Sequence, residues 1–132
     1  MESVKGYCID SDVLIDHLRG LEAARVFLLE ASKQATLYVS VVSIVELYSG
    51  LETRDAEKRA RVDEFLKSFV GILLDGTIAQ YAGVLRREYQ QPFADSIIAA
   101  SAVQYNLRLV TRNNKHFQDV AKGEGLELVK PY

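Results

Sequence analysis

The chain has 132 residues, 48% of them apolar, and sets 16 Lys and Arg against 18 Asp and Glu for a formal net charge of −2. Those figures fit one globular domain over residues 1–132 and argue against disorder, a second domain or a globally basic surface for nucleic acid. A single cysteine excludes an internal disulfide, and Cys/His spacing for structural zinc is absent.

The opening Met1-Glu2-Ser3-Val4-Lys5-Gly6 lacks the basic-then-apolar pattern of an export signal. No stretch approaches the roughly 18 apolar residues of a membrane span, so a cytoplasmic protein without membrane contact is expected.

Tyr7-Cys8-Ile9 is a short apolar run cut off by Asp10-Ser11-Asp12, which predicts a first strand ending near Asp10. Val13, Leu14, Leu18 and Leu21 recur at helical spacing, and Ala24, Phe27, Leu28 and Ala31 form a second apolar face. Two helices, or one broken helix, follow. Thr36 to Val42 alternates and is rich in β-branched residues, predicting strand two, after which Ser43 starts a helix. Between Glu52 and Lys67 opposite charges interleave, the pattern of a solvated helix face. Val70 to Leu74 predicts strand three. Thr77 with Gln80 fits a capping box for a helix reaching toward Pro92, and Ala94 to Tyr105 is a further helix. Leu107 to Thr111 predicts strand four, a basic loop follows, and Leu126 to Val129 is a possible strand five.

Strands alternating with helices imply parallel βαβ units and a three-layer α/β/α sandwich on a mainly parallel sheet of four to five strands. Ligands of such sheets bind beyond the carboxyl ends of the strands. There the chain places Asp10 and Asp12 after strand one, Glu46 one helical turn beyond strand two, Asn113 after strand four, and Asp95 just after the Pro92 break. Clustered carboxylates raise one another's pKa and need a compensating cation. Oxygen ligands without Cys or His favour Mg²⁺ or Mn²⁺ over zinc, and such an ion suits phosphodiester hydrolysis.

Each residue also has a plainer role. Ser43 and Glu46 fit a capping box, Asp95 can complement a helix dipole, and Asn113 can be a turn residue. Asp16 reads as a solvated helix residue, His17 and His116 as surface or loop histidines, and Cys8 as a small core residue. Tyr48, Tyr81, Tyr89 and Tyr105 read as core or interface aromatics. The functional case rests on the joint arrangement.

Four segments resemble the motifs of the PIN-domain ribonucleases, most closely those of VapC-type toxins: Ile9 to Asp16, Val41 to Gly50, Phe93 to Ala100 and Leu109 to Phe117. The resemblance covers nearly the whole chain and implies a PIN-like fold and a Mg²⁺- or Mn²⁺-dependent endoribonuclease. It makes Asp10, Glu46 and Asp95 the metal ligands, adds Asn113 to the catalytic set, and gives Asp12 and Thr111 supporting roles. Some members carry an acid at the position of Asn113, for which Asp119 is the alternative. Arg112 and Lys115, with Arg108 and Lys122 nearby, suit RNA phosphate contacts. The resemblance also implies a VapB-like antitoxin partner, a homodimer and possible higher toxin–antitoxin assemblies. Two rival functions stand beside it: a PIN-like scaffold that binds RNA or a partner without cleaving, and an aspartate-nucleophile phosphatase acting through Asp10.

Overall fold

A computed structural model describes residues 5–132; residues 1–4, which carry most of the segment read above as free of an export signal, lie outside them. The sheet has five strands in the order β3-β2-β1-β4-β5, all paired in parallel: β1 (Tyr7–Ile9), β2 (Leu37–Ser40), β3 (Val70–Ile72), β4 (Arg108–Val110) and β5 (Leu128–Val129). The order reverses direction at β1, which makes the carboxyl ends of β1 and β4 the switch point of the sheet.

Strand alternation divides the core into two. Cys8 and Leu109 face one side with Ile78, Leu85, Ile98 and Phe117, whereas Tyr7, Ile9 and Val110 face the other with Leu14, Leu28, Leu47 and Val62. The second side is covered by α1 (Ser11–Leu18), α2 (Glu22–Gln34), α3 (Val41–Tyr48) and α4 (Ala56–Leu66). The first is covered by α5 (Gly76–Tyr89), α6 (Phe93–Gln104) and α7 (Asn114–Glu124). This is the expected three-layer α/β/α sandwich.

Helix α6 is apolar all round. Every residue from Ser96 to Ala102 is buried, and its Ala and Ser side chains allow close approach on every face. The two serines satisfy their hydroxyls within the helix, Ser96 on the Phe93 carbonyl at 2.6 Å and Ser101 on that of Ile97 at 2.7 Å. Helix α5 stops where Gln90 takes a left-handed conformation at φ 54°, and Pro92 then caps α6.

Three local expectations are corrected. Strand two ends at Ser40, whose hydroxyl accepts from the Val42 N–H at 3.2 Å, so α3 starts at Val41 and Ser43 lies inside it, fully buried. The Ser43–Glu46 capping box therefore does not form. Asp75 caps α5 by accepting from the Ile78 N–H at 2.9 Å, in place of the Thr77–Gln80 box. The basic loop after strand four is helix α7, held down by Phe117 and Val120 and ended by Gly125 at φ 72°. Truncating the fully buried Phe117 to Ala is expected to cost about 3–5 kcal/mol.

Candidate active site

The residues at the carboxyl edge come from the turns after β1 and β4 and from helices α3 and α6. Asp10 leaves β1 with its N–H on the Val110 carbonyl at 2.9 Å and caps α1 in an extended conformation. Its Oδ1 accepts from the Ser11 N–H and its Oδ2 from the Thr111 hydroxyl, both at 2.8 Å. With only 6% of its surface exposed, burial pushes its pKa up to about 7, Asp12 and more weakly Asp95 adding to the rise against the two hydrogen bonds.

Asp12 accepts the Arg112 N–H on Oδ2 at 3.0 Å, while its Oδ1 is buried without a hydrogen-bond partner. Burial raises its pKa as well. Glu46 is exposed on α3 and accepts the Ser11 hydroxyl at 2.9 Å. Ser11 thus joins Asp10 to Glu46, a role that sequence reasoning missed because a residue after a strand-ending acid looks like part of the cap.

Asp95 is the third residue of α6, half-buried, and its pKa is raised by burial against a hydrogen bond from His116. Its Oδ2 lies 3.1 Å from His116 Nδ1, and the same ring nitrogen lies 2.8 Å from Asn113 Nδ2. The Asn113 N–H donates to Thr111 Oγ1 at 2.9 Å. His116, expected in a loop, lies instead in the first turn of α7. Asp119 is exposed on the same helix and takes no part in these bonds.

Asp16, expected to be solvated, accepts both Arg112 Nη1 and the Tyr132 hydroxyl on Oδ2 at 2.6 Å. Arg112 is therefore held at the rim by a carboxylate, with Tyr132 beneath its guanidinium. Lys115 is exposed on α7. His17 stacks on Phe65 at 4.4 Å between ring centroids, away from the acids' hydrogen bonds. Cys8 is fully buried, its thiol pushed up to about 12 by burial and by Asp10, which leaves it inert.

Beside Glu46 runs a groove of ≈ 370 Å³ lined by the apolar Ile15, Leu18, Leu47 and Val62, with Arg19, Lys58 and Arg61 and the acid Glu52 among its polar residues. The α4 cations read correctly as exposed, but their balanced charge hid that Lys58 and Arg61 border the groove beside Glu46. Among the described residues no three His, Cys, Asp or Glu side chains converge into a finished cation cage. The acids are gathered at one edge and linked through Ser11, Thr111, Asn113 and His116. An oxygen-only donor set, a carboxyl whose pKa is raised by burial and neighbouring acids, and a buried carboxylate oxygen without a partner all fit a hard divalent cation.

A parallel sheet whose carboxyl edge gathers acids from separate elements defines a class of α/β hydrolytic fold, and the PIN-domain model matches residues 7–123. The chain belongs to the PIN-domain family, and within it to the VapC ribonucleases. It is 43% identical over 114 residues to ribonuclease VapC10 of Mycobacterium tuberculosis, covering 83% of this chain and 84% of that one. Ribonuclease VapC19 of the same species is 33% identical over 83% of this chain and 90% of its own. Among solved structures, a toxin–antitoxin complex from Klebsiella pneumoniae superposes with a TM-score of 0.80 at 29% identity, covering 96% of this chain and 98% of that one. DNA-bound VapBC from Salmonella typhimurium, at 19% identity, shares the fold with a TM-score of 0.82 over 98% and 100% of the two chains. This membership displaces the aspartate-nucleophile phosphatase reading.

Proposed function

We propose that the chain is the ribonuclease toxin of a type II toxin–antitoxin pair, and that it cleaves RNA at the carboxyl edge of its sheet. The observation that carries the site is the buried Asp10 carboxyl, pushed up to about 7 by burial and neighbouring acids. A cation arriving beside such a group displaces its proton to water and binds the carboxylate. Asp10, Glu46 and Asp95 would hold Mg²⁺ or Mn²⁺, with Asn113 completing the catalytic set. Such an ion, when bound, lowers the pKa of a water and offsets charge on the phosphoryl oxygens.

The chain's own residues prepare the site. Thr111 fixes one Asp10 oxygen and the Ser11 N–H the other, while the Ser11 hydroxyl orients Glu46. Asp12 ties the β4–α7 turn to α1 through the Arg112 N–H. Arg112 and Lys115 draw the RNA backbone toward this edge, the first held by Asp16.

The partner is a VapB-like antitoxin. Its expected seat is the groove beside Glu46, whose apolar lining and three cations, Arg19, Lys58 and Arg61, suit an amphipathic segment carrying acids along one side. The toxin works as a homodimer in the cytoplasm; among the described residues no helix is long and apolar enough to cross a membrane.

Purified protein should cut RNA with Mg²⁺ or Mn²⁺ and stop on addition of EDTA. Its expression alone should arrest growth, relieved by a small adjacent gene. A protein that binds the metal yet leaves a broad RNA panel intact is instead the non-cleaving scaffold.

A further inference from the structure

The contact between His116 and Asp95 has no part in the reading above. Three neighbours fix the histidine. Gln91, only 4% exposed, donates from Nε2 to the His116 carbonyl at 2.6 Å; Asn113 Nδ2 lies 2.8 Å from Nδ1; Asp95 Oδ2 lies 3.1 Å from the same atom. One ring nitrogen cannot accept a proton from the Asn113 amide while donating one to Asp95. Turning the Asn113 amide so that its oxygen faces the ring removes the conflict, because a single Nδ1–H then serves both.

The bonds join into one path. Asp10 Oδ2 is held by Thr111, Thr111 Oγ1 accepts the Asn113 N–H, Asn113 meets His116, and His116 meets Asp95. The path runs from the end of β1 through the β4–α7 turn to the start of α6, joining two acids that no backbone connection brings together.

We infer that His116 is a positioning residue, which orients the Asp95 carboxylate through Nδ1–H and ties it to Asp10 by way of Asn113 and Thr111. The inference rests on the reading of Asp95 as a cation ligand. Histidine at the third position of α7 sets the Asp95 carboxylate at a fixed angle, so a divalent ion meets it already turned, and less ordering is needed on binding.

Mn²⁺ binding to the purified protein tests this without any RNA. His116→Leu, which keeps bulk but has no donor, should weaken Mn²⁺ affinity by about tenfold or more. His116→Asn, whose amide nitrogen can stand near Nδ1, should restore most of it. Both should melt near the wild-type temperature, because the side chain is 51% exposed. The chain has two histidines, so ring nitrogen NMR signals are readily assigned, and His17 serves as an internal control. The wild type should show a protonated Nδ1 on His116, and saturating Mg²⁺ should shift that ring while leaving His17 in place. Wild-type affinity in folded His116→Leu, or an equal loss in His116→Asn, overturns the inference. Should the Leu variant fail to fold, unmoved His116 signals at saturating Mg²⁺ overturn it alone. Undiminished Mn²⁺ binding by Asp95→Asn instead overturns the ligand reading beneath it, and the inference with it.

Discussion

Two carboxylates in this molecule each accept hydrogen bonds from two residues and end in opposite states. Glu124, at the end of α7, takes the hydroxyls of Tyr81 and Tyr89, and its pKa is lowered. Asp10 takes the Thr111 hydroxyl and the Ser11 N–H, yet its pKa rises to about 7. Glu124 lies at the surface, where donors outweigh desolvation; Asp10 is buried with Asp12 beside it, where desolvation and like charge win. The number of donors therefore does not mark a functional carboxylate. One corner is a fastener between α5 and α7, and the other is a site short of positive charge.

The largest expected contrast is in activity. On the proposed reading of Asp95 as a cation ligand, Asp95→Asn should lower RNA cleavage at least about a hundredfold, more than the loss of its supporting partner. Glu124→Gln should leave cleavage near wild type. Equal activity of the two variants would erase the distinction.

The next contrast is in pH. The folded pKa of Asp10, about 7, lies above its ordinary value of 3.8, so in EDTA the folded state holds a proton that the unfolded chain has released. Its contribution is fully present below about pH 4 and is lost as pH rises through 7. Burial lowers the His17 pKa and pulls the other way, so the comparison is wild type against Asp10→Asn. The stability difference between them, from urea unfolding, should move against wild type from pH 4 to 8, and Mg²⁺ should diminish that slope. A difference independent of pH would show that Asp10 ionises normally.

The smallest effects belong to the fastener. Glu124→Ala should cost about 1 kcal/mol in urea unfolding and leave Mn²⁺ affinity unchanged. A Cβ at Gly123 would come 2.1 Å from the Tyr89 hydroxyl, the far end of a movable side chain. Gly123→Ala should therefore displace that ring and cost no more than its hydrogen bond, with thermal melting as the check. A large loss of cation binding in either variant would join the two corners into one unit.

What the chain discloses by itself follows the same logic of locality. Strands β1 and β4 were legible because each is a short apolar run stopped by a polar residue, Asp10 or Thr111, and parallel order followed from alternation with helices. Helix α7 was not legible, because its start, Asn114-Lys115-His116, is polar and only Phe117 and Val120 reach the core. The start of α3 was misread because Val41 and Val42 prolong a β-branched run, so the true cap, Ser40, looked like strand interior. Asp10, Glu46 and Asp95 were legible as acids at strand or helix ends. The long-range bonds, from Thr111 to Asp10, from Ser11 to Glu46 and from His116 to Asp95, join segments whose meeting only the tertiary fold decides.

Helix α6, packed tightly on all sides, has a consequence for heredity. Almost any enlargement of Ala99, Ala100 or Ala102 must move the helix, and Asp95 rides on its first turn. In cells that survive by inactivating this chain, escape mutations should thus collect along the buried segment from Ser96 to Ala102 as well. The gene presents a wider target for disarming than the few acids at its sheet edge would suggest.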